Sequence, residues 1–334
     1  MSAHWRRKLG LLLLVAAALI PVVLGEHFLV FFLTTFFIAV MLTLGLQLII
    51  GYAGVTSLGH AAFYGIGAYT SAILSTRFGV PFLISLPMGG LLAMLGGLVM
   101  SPIIRLREIY FAMASLAFGI VVSEVFTQWK PVTGGHDGLS LIPSAQIGPV
   151  VFDTPSRFYY LALGLAATQY LFFRRLLDSP FGEALNAMRQ NEAGARAAGL
   201  PLARLKVWAI LLGAVTAGLA GSLHASFNGS VSPQNFLWTQ SIALLTMVVV
   251  GGIQSLPGVV ASTFLLLFLS EYLRSLVEYK VLINGVILAL FMIFLPRGLS
   301  GIAGALHRRQ GSGHTPLAAA ARVGPESTSA SGKA

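Results

Sequence analysis

The sequence predicts an all-α, polytopic integral membrane protein with about ten transmembrane or re-entrant helices and both termini cytoplasmic. Three observations carry this prediction. Of the 334 residues, 56% are hydrophobic and only 10% are charged, against roughly a quarter charged in a soluble domain. So few charges cannot cover a soluble surface, and with a mean hydropathy of +0.83 the apolar surplus must face lipid. The apolar residues also come in long runs, without the ten-residue alternation of barrel strands. Finally, the basic residues segregate to one side of the membrane once the runs are threaded across it.

A helix rises about 1.5 Å per residue, so about 20 residues cross the hydrocarbon core. Suitable runs fall near 9–25, 28–50, 57–76, 82–104, 109–128, 158–173, 207–227, 238–252, 257–274 and 281–296. Several are short or interrupted by glycine, which suits re-entrant half-helices. With ten crossings, only Arg77, Lys130, Arg157, Arg274 and Lys280 of the 21 Lys and Arg residues fall opposite the N-terminus. By the positive-inside rule the termini and the loop 174–206 are cytoplasmic. Arg6-Arg7-Lys8 before Leu11–Ile20 resembles a secretory leader, but no A-x-A-like site follows, and an uncleaved first span fits better. Residues 1–306 form the transmembrane domain. The Ala-, Ser- and Gly-rich stretch 307–334 reads as a disordered cytoplasmic tail.

The chemistry is sparse. With no cysteine there is no thiolate metal site or nucleophile. Glu108, Glu124, Glu271 and Glu278 lie near span ends, whereas ion-coupled transporters usually carry a carboxylate or histidine at mid-membrane. His60 is the exception. No hydrolytic triad, metal cluster or phosphate loop of the G-x-x-x-x-G-K-[ST] type occurs, so an enzyme or ATPase within this chain is disfavoured, and the net charge of +10 concerns membrane sidedness rather than nucleic acid.

The glycine-rich stretch Gly51–Tyr69 is the most unusual. At helical spacing His60, Tyr64, Gly67 and Ser71 share a polar face, and Ala61, Gly65, Ala68 and Ala72 an adjacent small one. The polar face can line a solute path; equally, both faces can simply pack helices. Gly51 and Gly54 allow a bend before the helix. The string Gly54-Val-Thr-Ser-Leu58 recurs as Gly252-Ile-Gln-Ser-Leu256, but the parse does not make these an inverted repeat, and chance similarity of two bends is favoured.

In the loop 174–206, Ser179-Pro180 reads as an N-cap with proline at the first helical position, Glu183 suits the helix dipole, and Gly199-Leu-Pro201 ends the segment. Glu192 and Arg196 can pair at i,i+4, while Gly182 and Gly194 favour two short helices. Such a segment either lies on anionic lipid or docks into a soluble partner. On the opposite side, Thr133–Leu139 interrupts a loop of about thirty residues, long enough for recognition, although a structural turn also explains it. His136 and Asp137 are too few for a metal site.

Taken together, Gly51–Tyr69, Tyr110–Phe118, Thr133–Leu139, Ser179–Leu185, Asn191-Glu192 with Ala198–Leu200, Val250–Gly258 and Leu295–Leu299 resemble, in order, blocks of the LivM-type permease subunits of branched-chain amino acid ABC importers. The resemblance implies an inner-membrane permease without its own cofactor. It would work with a second, homologous permease, two cytoplasmic ATPases that use the ATP, and a periplasmic substrate-binding protein. It also implies that Ser179, Pro180, Phe181, Gly182, Glu183, Arg189, Glu192 and Gly199 couple to the ATPases, although Glu192-Ala193-Gly194 with Gly199 departs from the usual Glu-Ala-Ala…Gly pattern. The loops near 129–157 and 228–237 would meet the binding protein. Polar candidates for the translocation path are Gln47, Ser57, His60, Tyr64, Ser115 and Gln240. A urea or short-amide importer permease, an ion-coupled secondary transporter and a non-transporting membrane protein are the rival readings.

Overall fold

The computed structural model describes residues 28–106 and 108–272, with Pro21, Gly285 and Val286. The expected spans 9–25 and 281–296 and the tail 307–334 lie outside this range, apart from those three residues. Among the described residues the chain forms eleven α-helices, and each of the eight expected spans within the range is a helix. They are α1 (Phe28–Gln47), α2 (His60–Phe78), α3 (Phe82–Met100), α4 (Glu108–Gln128), the short α5 (Lys130–Thr133), α6 (Pro155–Leu177), α7 (Pro180–Gln190), α8 (Glu192–Ala197), α9 (Leu202–Asn228), α10 (Trp238–Gly251) and α11 (Leu256–Tyr272). A π-helical turn, Leu48–Tyr52, extends α1.

Four segments are long and apolar enough to cross a membrane by length and composition: Phe28–Tyr52, Phe82–Ile104, Ile109–Gln128 and Leu202–Asn228. The other four expected spans are helical but shorter or more polar. For α2 the cause is position, since twelve of its nineteen residues are buried. A helix enclosed by protein needs no apolar coat against lipid, and α2 uses glycine, alanine and hydroxyl residues instead. The lipid-suited faces belong to α3 and α4, which expose Leu83, Ile84, Leu91, Leu95 and Val99, and Ile109, Met113, Ile120 and Val121.

The core of the bundle is the packing of α2 against α3 and α9. A Cβ on Gly67 of α2 would collide with the Gly218 backbone of α9, and one on Gly89 of α3 with the Ser222 hydroxyl. Ser222 Oγ donates to the Gly67 carbonyl at 3.2 Å, and Ser71 and Ser85 share a hydrogen bond at 3.0 Å. Small residues allow this approach, and dispersion over the close contact holds it. Of the two readings of the faces of α2, helix packing is what Gly67, Ser71 and Gly65 show. Gly67 and Ser71, placed with the polar face, pack against α9 and α3, while Gly65 faces the rings of Phe126 and Phe236.

The two loops opposite α7 are joined. Leu139–Ser140 (β1) pairs antiparallel with Ser230–Val231 (β4), and Gln146–Ile147 (β2) with Val150–Val151 (β3). Thr133 fixes the start of the first loop by donating to the Phe126 and Trp129 carbonyls. Glycines with positive φ at 134, 135 and 138 make the turn that follows.

Candidate functional site

The helix α1 does not run straight into α2. Its last turn widens into the π-helix, in which the Ala53 amide bonds the Leu48 carbonyl at 3.1 Å and Val55 the Ile49 carbonyl at 3.2 Å. The chain then runs irregularly through residues 53–59, with Gly54 in the left-handed region at φ 67°. Where α2 begins, a Cβ on Gly45 would stand 3.5 Å from His60 Nε2 and would strike the Thr216 hydroxyl. Thr216 lies twelve residues before the end of α9 at Asn228, about 18 Å along its axis. The bend therefore enters the middle of the bundle. Unpaired backbone at such depth is tolerable only when protein satisfies it.

Side chains from three other helices do so. Ser115 of α4 accepts the Leu58 amide at 2.9 Å, and Ser241 of α10 accepts the Ala61 amide at 2.9 Å. Arg189 Nη1 of α7 donates to the Gly51 carbonyl. The loop between α10 and α11 meets the bend from the side. Gln47 Nε2 donates to the Ile253 carbonyl at 3.3 Å, and the Tyr52 hydroxyl to the Gln254 carbonyl at 2.9 Å. Residues 51–58 and 252–256 are thus spatial neighbours, and the first glycine of each recurring string, Gly54 and Gly252, has positive φ. The two similar strings belong to one assembly.

The six expected path residues fall into three places. Gln47, Ser57 and His60 are fully enclosed on the bend, and Gln47 Oε1, Ser57 Oγ and both His60 ring nitrogens have no hydrogen-bond partner. The Leu42 carbonyl lies near the His60 ring without meeting hydrogen-bond geometry. Each unpaired buried polar atom costs about 1–3 kcal/mol; among the described residues Tyr69 Oη and Gln169 Oε1 are unpaired as well. Ser115 is buried too, but its hydroxyl is spent on Leu58 and on the Ala112 carbonyl. It supports the bend. Tyr64, a turn above His60, packs on Phe236 and His224 with ring centroids 5.0 and 5.3 Å away. Tyr69 and Phe126 complete this aromatic layer at a centroid distance of 4.4 Å. Gln240 is part-exposed in the first turn of α10, directly before Ser241, which holds the Ala61 amide.

At the other side of the bend stand α7 and α8. Of the expected coupling residues, Pro180, Glu183, Glu192 and Gly199 are exposed, and Ser179 and Phe181 half-buried. Ser179 occupies the N-cap position but makes no cap; its hydroxyl donates to the Leu176 carbonyl at 2.6 Å. The break between the two helices falls at Asn191, whose side chain accepts the Gly194 amide at 2.9 Å, and not at either glycine. Glu192 pairs with Arg196 at 3.6 Å and with Lys206 at 3.3 Å. A shallow open groove is lined by Glu192, Ala193, Arg196 and Ala197. The other two expected coupling residues, Gly182 and Arg189, point into the bundle. Gly182 is buried because it packs on the Leu177 backbone, and Arg189 turns inward to Gly51. Residues that sequence reasoning passed over are Tyr52, Asn186, Ser241 and Gln254. The repeat carried the signal for Gln254, and Tyr52 lay within the glycine-rich stretch; nothing local marked Asn186 or Ser241.

The comparisons agree with this architecture. The profile of the family described as branched-chain amino acid transport system / permease component matches residues 28–296. The high-affinity branched-chain amino acid transport system permease protein LivM of Escherichia coli (strain K12) is 35% identical over 286 residues, covering 78% of this chain and 67% of that protein. A probable LivM of Methanocaldococcus jannaschii is 27% identical, covering 61% and 63%. The ribose import permease protein RbsC of Haemophilus influenzae is 23% identical, covering 65% and 66%. No solved structure matches. A multi-pass helical bundle with an irregular segment between two helices at its centre, matched by one profile along nearly all its described length, is a transport component, and the chain belongs to the family of branched-chain amino acid transport system permease components.

Proposed function

We propose that this chain is a permease subunit of an ATP-driven importer that carries branched-chain amino acids across the bacterial inner membrane. One observation carries the reading: the irregular segment between α1 and α2, with orphaned polar groups at mid-bundle, is tied to an exposed helix pair, α7–α8, at one end. A polar solute needs hydrogen-bond partners inside the bundle. A chain without a Walker motif needs its energy delivered from outside, and an exposed, structured helix pair offers a place to deliver it. In this reading two cytoplasmic ATPases dock on Pro180, Phe181, Glu183, Glu192 and Gly199. A second, homologous permease completes the pore, and a periplasmic binding protein lands on the surface joined by β1 and β4. ATP binding favours one of two conformations only insofar as the ATPases hold α7–α8 differently in each. The amino-acid cargo rests on the LivM relatives, and the ribose permease among the matches makes cargo a separate question.

The test is purification of the tagged chain from its native membrane in mild detergent, with mass spectrometry of its companions. A second permease and two P-loop ATPases are expected. Proteoliposomes of that complex, supplied with the binding protein, should take up radiolabelled leucine only with ATP on the α7–α8 side. Uptake by the chain alone, driven by an ion gradient, would replace the proposal with a secondary transporter. Uptake of urea or a short amide in place of leucine would change the cargo and leave the rest.

A further inference from the structure

Glu183, Ala187 and Gln190 form the exposed face of α7, and Gly182, Leu185 and Met188 the buried one. Arg189 sits between, half-buried, and its guanidinium reaches back to the Gly51 carbonyl. That carbonyl is among the last of the continuous helix Phe28–Tyr52, where the usual acceptor role within a helix is lost and the helix dipole presents negative charge. A cationic fork suits it, and a charge-assisted hydrogen bond is about twice as strong as a neutral one. Gly54, whose left-handed backbone favours glycine, lies beside the arginine stem: a Cβ there would be in ordinary contact with Arg189 Cγ at 3.6 Å. No carboxylate forms a salt bridge with Arg189 among the described residues. One turn earlier on the same side of α7, Asn186 Oδ1 accepts from Gln254 Nε2 at 3.4 Å, and the Gln254 carbonyl in turn receives the Tyr52 hydroxyl. A single turn of α7 therefore grips both irregular segments, 51–58 and 252–256.

We infer that Arg189 is a positioning residue, the strut by which displacement of α7 is passed to the bend that carries Gln47, Ser57 and His60, with Asn186 and Gln254 as its second anchor. It is not itself a contact for the subunit that moves α7. The inference deepens the proposed function and rests on α7–α8 being where the ATPases bind.

The chain lacks cysteine, so one introduced thiol reports on one place. Thr56→Cys puts it in the bend, at a half-buried position with no assigned role. The complex purified with its companions is labelled with a maleimide fluorophore, with and without ATP plus orthovanadate, and the label on the tagged chain is read on a gel. With Arg189 intact, nucleotide should change the labelling rate at least about threefold, as a shift between two populated states requires. In Arg189→Gln that change should vanish while the ATPases still co-purify in the same ratio, and Arg189→Lys, which restores a cationic donor, should recover part of it. If Arg189→Gln does not accumulate, Gln254→Met carries the test, and should reduce the nucleotide response by about half by removing only the second anchor. An unaltered response in Arg189→Gln overturns the strut. Loss of the ATPases from that variant also overturns it, by placing Arg189 on the docking face. Absence of ATPases from the unsubstituted complex overturns the docking reading itself.

Discussion

The α2–α3–α9 contact and the bend at residues 53–59 lie side by side and share α2, yet they are held by opposite means. In the first, backbones meet through Gly67, Gly89 and Gly218 with almost nothing between them. Its strength is dispersion over many atoms, which falls away steeply with any separation, so the contact has one stable arrangement. In the second, single hydrogen bonds from Ser115, Ser241, Arg189, Gln47 and Tyr52 reach across to main-chain atoms of the bend or of its neighbouring loop. Each is directional, individually modest and exchangeable for another partner. Transport by alternating states needs both kinds of region: a body that moves as a unit and a joint whose bonds can be remade.

Breaking the body should cost most. Gly67→Leu should abolish accumulation of folded chain, read by size-exclusion of a fluorescent fusion, whereas Gly164→Leu, with nothing within 4 Å, should behave as unsubstituted protein. Equal behaviour of the two would remove the distinction. Gly65→Leu should fall between them, because the neighbours it meets are the side chains of Phe126 and Phe236, which can swing aside, and not backbone.

At the joint the effects should be smaller and show in function before folding. Ser241→Ala or Ser115→Ala leaves an amide of the bend unpaired, a loss of about 0.6–2 kcal/mol inside a membrane bundle. Folded yield should persist, the melting midpoint should fall by a few degrees, and leucine uptake should fall further than the melting point suggests. An unchanged uptake rate would mean the bend is ornamental to transport. On the exposed face of α7, Glu183→Lys should weaken ATPase retention severalfold in a salt-titrated pull-down, with the melting point unmoved. An equally small change in melting midpoint should come from Glu192→Gln. Its pairs with Arg196 and Lys206 are exposed on the glutamate side, and such pairs contribute under about 1 kcal/mol.

The helices were legible because a span must be apolar for about 20 residues, and eight expected runs map onto eight helices. The bend was half legible: Gly51 and Gly54 announced it, and His60 stood out as a polar residue without a visible reason. The roles of Ser115, Ser241 and Arg189 were not legible, for a physical reason. A serine on an apolar helix reads the same whether it faces solute, a neighbouring helix or an orphaned amide, and only the third dimension tells them apart. Arg189 was grouped with the coupling residues by the resemblance alone; at about 100° per residue it lies about 120° around α7 from Glu183, beside Leu185 and Gly182, but that pattern does not say which main-chain atom it reaches. The two similar strings at 54 and 252 were dismissed on topology, yet spatial adjacency does not depend on which half of a repeat each belongs to.

All five contacts that define the joint run from a side chain to a main-chain atom, and this has a genetic consequence. A carbonyl is present whatever residue occupies the position, so no substitution at 51, 253 or 254 deletes the acceptor, and only proline removes the N–H donor at 58 or 61. Each bond has a single address, at residue 47, 52, 115, 189 or 241. A lesion at one of these cannot be rescued by a matching change across the contact, and searches for correlated substitutions, which find pairs that change together, would pass over the most mechanically consequential part of the molecule. Suppressors of an Arg189 lesion should instead arise at distant positions that restiffen the joint as a whole.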